Sequence, residues 1–184
     1  MGGIKLTRRT LPLVRQSVGL VFQDSDNQLF MPTVREDVAF GPLNMGLPQE
    51  EIDRRVAQAL QDVNAAALAD KMTHHLSGGE KRAVSIATVL SMSPDILVLD
   101  EPSANLDPAS RRTLINLLRR FSHTKIIATH DLDMVMDLCT RCIVMKDGSI
   151  LADAPVPDIF ADCALLEEAR LEQPLSYCLR HYGR

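Results

Sequence analysis

Residues 95–101 read DILVLDE, a short continuous apolar run that ends in two adjacent carboxylates. Such a run is typical of a strand that is buried on both faces of a parallel sheet. A second run of this kind occupies 125–129, and the stretch between them, 108–121, predicts a helix with arginines on its polar side. Buried strands that alternate with helices predict an α/β fold with a mainly parallel sheet.

The same alternation continues on both sides of these runs. Residues 17–22 form a short β-branched run that predicts a strand, and a polar loop follows it. Apolar residues at helical spacing predict one helix over 49–63 and another that starts just past Gly78 and Gly79. Towards the carboxyl terminus we predict a helix at 132–138, a hairpin across Asp147-Gly148, a short helix at 157–160 and a charged amphipathic stretch at 164–172.

The composition limits the classes of function. A chain of 184 residues that is 46% hydrophobic and 24% charged can bury a core. A net charge of −4, 4% aromatic residues and no tryptophan argue against a nucleic-acid partner, which needs positive charge or stacking rings. No run reaches the roughly 18 apolar residues that span a bilayer, so we expect a cytoplasmic chain.

The cysteine pair Cys139 and Cys142 has CxxC spacing, which occurs in metal and redox sites. A second CxxC or a histidine pair at zinc spacing does not accompany it, and Cys142 opens an apolar run that predicts a strand. We therefore favour a structural role with reduced thiols.

Candidate functional residues follow the predicted strands. In open α/β sheets, ligands bind at the carboxyl ends of the parallel strands. Asp100 and Glu101 end one strand, Gln23 and His130 follow two others, and Asp107 lies in the turn 103–107 directly after the carboxylates. One carboxylate can hold Mg²⁺, which prefers oxygen ligands, while its neighbour polarises an attacking water.

Each of these stretches also has a simpler structural interpretation. Two acids followed by Pro102 could stop a strand and cap the next helix, and His130 could be a satisfied histidine at a helix start. Gln23 could be an ordinary loop residue, and LSGGE at 76–80 could be a loop that caps a helix. The order and spacing of the stretches favour the functional interpretation.

Taken together, the stretches resemble the nucleotide-binding domain of ABC transporters. LSGGEKR (76–82) resembles the signature motif of that family, which is nearly diagnostic. The other matches are ILVLDEP (96–102) to the Walker B strand and catalytic glutamate, SANLD (103–107) to the D-loop, ATHD (128–131) to the switch histidine and VFQD (21–24) to the Q-loop. The wider strings 22–47 and 155–174 are similar to the ATPase subunits of energy-coupling-factor importers and of cobalt and nickel uptake systems, although Ser25 replaces a common proline.

The resemblance implies roles for the residues at the strand ends. Asp100 would help to hold Mg²⁺, and Gln23 would touch Mg²⁺ or the attacking water. Glu101 would be the general base, and His130 would contact the γ-phosphate of ATP and stabilise the transition state.

The resemblance also assigns the signature loop to a nucleotide that a second ATPase subunit holds. Ser77 and Gly79, together with their neighbours Gly78 and Glu80, would bind the γ-phosphate, and Asp107 would bridge two ATPase domains. The start of a helix favours such an anion.

The implied cofactors are ATP and Mg²⁺, and the implied partners are membrane proteins. A second ABC ATPase subunit, identical or different, would pair with this one. A transmembrane coupling protein would dock near the Q-loop and the segment 35–63, beside a substrate-binding membrane subunit, so the chain would lie peripherally on the inner face of the membrane. Cobalt, nickel, biotin and other vitamins stay open as cargo.

Two other functions stay open. The chain could be a truncated or degenerate subunit that contributes only its signature motif to a catalytic partner. It could also be a soluble ABC ATPase that works on DNA or ribosomes, although the acidic balance and the string 22–30 disfavour this.

The P-loop of the family, with its Gly-Lys-[Ser/Thr], does not occur in the 184 residues, because no lysine follows a glycine. We therefore expect an incomplete ABC ATPase domain that lacks the amino-terminal strands and Walker A. Its parts are expected to be a helical subdomain (about 24–93), a core (about 94–153), a carboxy-terminal extension (about 154–174) and a tail (175–184). Without a central strand, we expect an unpaired sheet edge and a chain that is poorly stable or completed by another segment.

Overall fold

The computed structural model describes residues 4–122 and 124–181. The chain divides into two compact units, of which the first ends at Ala128 and the second begins at Thr129. This boundary falls inside the segment 94–153 that we expected to form the core of the ATPase. In the described ranges, none of the helices combines the length and the apolar character that crossing a membrane requires.

A three-stranded parallel sheet organises the first unit. Its strands lie in the order β1 (Val18–Val21), β2 (Ile96–Asp100), β3 (Thr124–Ala128). Val21 lies opposite Leu99, and Asp100 lies opposite Ala128. Because the strands run in the same direction, their carboxyl ends meet at one edge of the sheet. The parallel sheet predicted from the apolar runs is confirmed.

The prediction that 125–129 is a buried strand is wrong in both bounds and burial. The strand is β3, which starts one residue earlier, and its side chains alternate between exposed and half-buried, with Ile126 54% exposed. β3 pairs with β2 on one side and, within the described residues, with no strand on the other. β2 is likewise less enclosed than predicted, because only Leu97 and Leu99 on one face are fully buried.

The described residues of the first unit form five α-helices. They are α1 (Leu11–Ser17), α2 (Val34–Asn44), α3 (Gln49–Asp62), α4 (Gly78–Leu90) and α5 (Pro108–Arg120). α3 and α5 agree with the predicted helices to within one residue, whereas α4 begins at Gly78 and so includes the two glycines that were predicted to precede it. α1 and α2 were not predicted. α2 begins with a capping box in which Thr33 and Glu36 bind each other's backbone N–H groups, and it contains Pro42, a residue that normally signals a helix end.

Helix α4 connects the helical part of this unit to the sheet. It packs against α2 and α3. Each of these two helices has one buried face, which includes Val38 in α2 and Val56 in α3. It also lies directly on β1, where a Cβ atom added to Gly19 would come within 2.0 Å of Val89 Cγ1. The position of α4 is therefore fixed on both sides.

The described residues of the second unit form a hairpin and four α-helices. The hairpin strands are β4 (Arg141–Lys146) and β5 (Ser149–Pro155), and the helices are α6 (Leu132–Leu138), α7 (Val156–Ala161), α8 (Cys163–Glu168) and α9 (Leu175–His181). The predicted hairpin across Asp147-Gly148 is confirmed. The amphipathic stretch 164–172 is helical only as α8, and the expected tail contains α9.

The cysteine pair sits at the edge of the core of the second unit. Cys139 directly follows α6, and Cys142 lies in β4; both pack against the buried cluster that includes Val135 and Val144. Burial raises the pKa of the Cys142 thiol, and the nearby Asp153 carboxylate adds to the effect. A thiol that ionises less readily is a poorer metal ligand and nucleophile, which agrees with the predicted structural role.

Candidate functional site

The ends of β1 and β2 bring three of the predicted residues to one edge of the sheet. Asp100 is the last residue of β2 and is exposed, and Gln23 follows the end of β1 by two residues and is also exposed. Glu101 has a φ of 41°, in the left-handed region, and its N–H donates to the Ala128 carbonyl at 2.8 Å. A non-glycine residue held there is strained by about 1–3 kcal/mol, a feature that concentrates at functional sites.

Asp107 caps α5 with its carboxylate. The carboxylate accepts hydrogen bonds from the N–H groups of Ala109 and Ser110, at 2.9 and 3.0 Å, and from the Ser110 hydroxyl at 2.6 Å. The hydroxyl of Ser110 is the largest cause that holds the pKa of Asp107 below its usual value. Both carboxylate oxygens of Asp107 are therefore engaged in hydrogen bonds within the chain.

The signature loop forms a capping box at the start of α4. The Ser77 N–H donates to Glu80 Oε2 at 2.7 Å, and the Glu80 N–H donates to Ser77 Oγ at 3.4 Å. Lys71 Nζ lies 3.1 Å from the other oxygen of Glu80. The Ser77 N–H, followed by the Ser77 hydroxyl and Lys71, holds the pKa of Glu80 below its usual value. LSGGE thus caps a helix, as the simpler interpretation of this stretch in the sequence analysis suggested.

The capping box leaves two backbone donors at the tip of α4. Within the described residues, no group accepts a hydrogen bond from the N–H of Gly78 or Gly79. Such N–H groups stand at the positive end of the helix dipole, and α4 is 13 residues long. The arrangement suits an anion that approaches from outside the chain.

The two glycines have different surroundings. A Cβ atom on Gly79 would lie 2.7 Å from Ser110 Oγ, so a glycine is required for α4 to approach α5. A Cβ atom on Gly78 would meet no described atom within 4 Å. A cavity of about 320 Å³ lies beside this contact, lined by Ser77, Gly79 and Glu80 from the signature and by side chains of α5. Packing in the chain explains Gly79 but not Gly78.

Arg82 is a buried residue of this region that the sequence analysis missed. It is 4% exposed, and its guanidinium donates to the Phe22 carbonyl at 2.6 Å and to the Gln23 carbonyl. Burial lowers the pKa of Arg82, and the charge of Asp24 acts in the opposite direction. A signal was present in the sequence, because Arg82 lies four residues before buried Ile86, on the same helical stripe.

Two further contacts bind the loop after β1 to α4. Gln28 donates to the Ser85 carbonyl at 2.7 Å and accepts the Phe22 N–H at 3.1 Å. Lys81 Nζ lies 2.5 Å from Asp26 Oδ1 at the surface. The loop that contains Gln23 is therefore attached to the helix that carries the signature.

His130 belongs to the second unit. It is exposed and stands at the entry of α6, where Thr129 Oγ1 accepts the Asp131 N–H at 3.0 Å and Asp131 accepts the Met134 N–H at 3.0 Å. Within the described residues, no cluster of three or more His, Cys, Asp or Glu side chains could hold a metal ion by itself.

Comparison with known sequences identifies a family. The sequence profile described as ABC transporter matches residues 1–104. An ABC transporter ATP-binding protein of Geobacter sulfurreducens is 62% identical over 176 residues, which cover 96% of this chain and 71% of that protein. The energy-coupling factor transporter ATP-binding protein EcfA of Methanocaldococcus jannaschii is 46% identical over 174 residues, which cover 93% of this chain and 62% of EcfA.

A solved structure has the same fold. CbiO1 from Clostridium perfringens, part of the ABC transporter complex cbiONQ, matches with a TM-score of 0.80 and 42% sequence identity over 91% of this chain and 68% of CbiO1. The α/β fold and the resemblance found in the motifs are confirmed. The chain therefore belongs to the ABC transporter family, as an ATP-binding subunit of the kind that hydrolyses ATP.

Proposed function

We propose that this chain is the ATP-hydrolysing subunit of an importer of the energy-coupling-factor or cobalt and nickel type. The similarity to EcfA and CbiO1 supports this class of transporter. The observation that carries the proposal is the open tip of α4. Gly78 has free space around it and, with Gly79, offers two N–H groups without acceptors among the described residues. A γ-phosphate fits the positive end of the helix dipole and the two N–H donors there.

We infer that the nucleotide at this tip is held by a second ABC subunit, because the resemblance of residues 76–82 to the ABC signature implies this arrangement. Ser77 and Gly79 would close on the γ-phosphate from the opposite side, with Gly78 and Glu80 completing the loop. The turn that Asp107 ends would meet the second subunit in a homodimer or a heterodimer.

The edge of the sheet would supply the groups for hydrolysis. Mg²⁺ usually binds one or two carboxylates, with phosphate oxygens and water as its other ligands, and exposed Asp100 fits that requirement. Glu101 would take the proton of the attacking water, a contribution of roughly 10²–10⁴ in rate. Gln23 would orient that water. The resemblance separately assigns His130, in the second unit, the role of stabilising the negative charge on a γ-phosphate.

The membrane partner would dock on an aromatic surface that follows the Gln23 loop. Phe30 is 63% exposed and meets the exposed ring of Phe40 edge-on, with ring centroids 4.8 Å apart, and Leu43 is exposed on the same helix. Grouped apolar side chains on a surface mark sites of protein contact. We assign these three residues, the aromatic surface, to the transmembrane coupling protein, which would hold the chain on the inner face of the membrane beside a substrate-binding subunit.

Hydrolysis in the complex tests the proposal. The complex is purified from membranes through a tag on this chain, and MgATP hydrolysis is measured with Glu101→Gln and, as a matched control, with exposed Glu167→Gln. We expect a loss of about 10²–10⁴ for Glu101→Gln and no change for Glu167→Gln. Hydrolysis that survives Glu101→Gln would overturn the catalytic role. Tight MgATP binding by the 184 residues alone would overturn the second-subunit arrangement.

One alternative function is supported by the same open tip of α4. A subunit that does not hydrolyse ATP itself could contribute only the signature to its partner. In that case Ser77→Arg would abolish hydrolysis by the complex, because the arginine would fill the phosphate position, while Glu101→Gln would leave it unchanged. The two variants together separate the alternatives.

A further inference from the structure

We propose that Arg82 is a positioning residue for ATP hydrolysis, because it makes the signature helix and the loop that carries Gln23 move as one body. The inference rests on the proposed function, since that function gives Gln23 its role in the reaction. Arg82 touches neither the nucleotide nor the attacking water in this scheme. It acts through the backbone that it holds.

The contact is specific for arginine. One terminal nitrogen of the guanidinium donates to the Phe22 carbonyl at 2.6 Å and the other donates to the Gln23 carbonyl. Two successive carbonyls are thereby held by one rigid planar group, which fixes the orientation of the peptide that carries the Gln23 side chain. A lysine would place a single charge between the same carbonyls and could not fix both in this way.

The placement of Arg82 is costly in terms of stability alone. The residue is 4% exposed, and its Nε is buried without an acceptor. An apolar side chain of similar volume would avoid this desolvation and is often neutral or stabilising at such positions. A buried guanidinium aimed at two loop carbonyls is therefore better explained by the geometry that it imposes than by the stability of the fold.

Lys81, the residue before Arg82, also attaches α4 to the loop that carries Gln23. Lys81 pairs with Asp26 at 2.5 Å, so two consecutive residues of α4 bind the same loop. Ser77 precedes Arg82 by five residues, or about 7.5 Å along the helix axis. The backbone of Gln23 is therefore held in a fixed position relative to Ser77, so that the water-orienting group is in place when the signature meets the γ-phosphate of the second subunit.

A tryptophan probe tests the attachment itself. The chain has no tryptophan, and the Phe22 side chain is partly exposed, so Phe22→Trp gives a single fluorescent reporter on the loop. We expect Arg82→Lys to lower the fluorescence anisotropy of this reporter, because the loop gains local motion. The control is Arg141→Lys, which alters an exposed arginine that also makes two hydrogen bonds, to Asp153.

Kinetics of the intact complex test the consequence. We expect Arg82→Lys to lower kcat by up to about 10²-fold, with little change in KM. A displacement of reacting groups by about 1 Å can reduce the rate by this factor. Arg141→Lys should leave both unchanged. A purely structural role for Arg82 would lower the melting temperature without this separation of kcat from KM.

Each outcome decides a different point. Unchanged anisotropy in Arg82→Lys would overturn the attachment, and lower anisotropy with unchanged kcat would overturn the positioning role. A parent complex that hydrolyses no ATP would instead overturn the proposed function, from which the inference takes Gln23. If Arg82→Lys does not fold, exposed Asp26→Asn replaces it, with a smaller decrease expected in both anisotropy and kcat. No decrease in either quantity would then overturn the inference.

Discussion

A Cβ atom on Gly79 would lie 2.7 Å from Ser110 Oγ and 3.2 Å from Ser110 Cβ, so the first turns of α4 and α5 meet at the signature loop. The Ser110 hydroxyl cannot turn away without loss, because it donates to Asp107 Oδ2 at 2.6 Å. The signature and the cap of the next helix are thus one packed contact. Gly78, one residue earlier, takes no part in it.

Alanine substitutions at the two glycines should therefore have opposite effects. We expect Gly79→Ala to lower the free energy of unfolding by about 1–3 kcal/mol through overpacking against Ser110. Gly78→Ala should leave it unchanged or slightly higher, since alanine favours the helix, yet it should abolish ATP hydrolysis by the complex. Urea unfolding and hydrolysis rates measure the two effects.

A second substitution checks the cause of the Gly79 effect. Ser110→Gly removes the side chain that the new methyl group would meet, so the double variant Gly79→Ala/Ser110→Gly should recover part of the lost stability. Normal hydrolysis by Gly78→Ala would contradict the assignment of this position to a phosphate.

The carboxylate caps predict how stability depends on pH. The pKa of Glu80 is lowered in the folded chain, from an ordinary value of 4.5. A lowered pKa stabilises the folded state above that ordinary value, and this stabilisation is lost as the pH falls through the folded value. Glu80→Gln retains an acceptor for the Ser77 N–H but loses the charge. The difference in unfolding free energy between the parent and Glu80→Gln should be constant near neutral pH and should shrink below pH 4.5.

Urea unfolding at a series of pH values measures this difference. Asp133→Asn, which changes a carboxylate in the second unit that accepts the Ser176 N–H at 2.9 Å, is a comparison outside the signature loop. A Glu80→Gln curve that runs parallel to the parent curve through the acid range would contradict the assigned ionisation.

Local patterns in the sequence predicted most of the fold. The apolar runs that end at Asp100 and Ala128 are continuous, as in strands, and the apolar residues of α3 recur at helical spacing. α2 escaped prediction because Pro42 lies inside it, and only the capping box and the packing of Val38 make a helix favourable there. The exposure of β3 could not be predicted either, since burial depends on which strands lie beside it.

The candidate site shows the same division between pattern and packing. The order of the motifs predicted roles for Ser77, Glu101 and Asp107, but it could not show that Asp107 accepts hydrogen bonds from the N–H groups of α5. Arg82 was missed because a charged side chain is normally exposed, although it lies on the buried stripe of α4, where the loop after β1 covers it.

The contact between α4 and β1 predicts a strong effect at Gly19. An added Cβ would lie 2.0 Å from Val89 Cγ1 and 3.1 Å from Pro94 Cγ. We expect Gly19→Ala to lower the free energy of unfolding by about 1–3 kcal/mol or more. Val89→Ala should couple favourably with it, so that the double variant is more stable than the sum of the single effects predicts.

Gly41→Ala is the matched control for Gly19→Ala. Its Cβ would meet Met92 at 2.5 Å, but at the flexible Cγ and Sδ atoms of a side chain that can move aside. The substitution also favours the helix interior of α2. Equal losses of stability at Gly19 and Gly41 would contradict the rigid contact between α4 and β1.

The aromatic surface predicts a loss of membrane association that is separate from stability. Phe30 is 63% exposed, so Phe30→Gln removes little buried area from the folded chain. If the coupling protein buries this ring, the variant should lose at least about 1–2 kcal/mol of binding, as central aromatic residues of interfaces do. The measurement is the fraction of the chain that remains bound to the washed membranes of cells that make the whole transporter.

Ile150→Gln provides a control of equal exposure, because Ile150 is also 63% exposed but lies on the hairpin of the second unit. If general hydrophobicity holds the chain on the membrane, the two variants will be released to the same extent, and the aromatic surface will have no special role. If the coupling protein recognises Phe30 and Phe40, release will be confined to Phe30→Gln. It will then increase further with Phe40→Gln, since the two rings contact each other and form one binding surface.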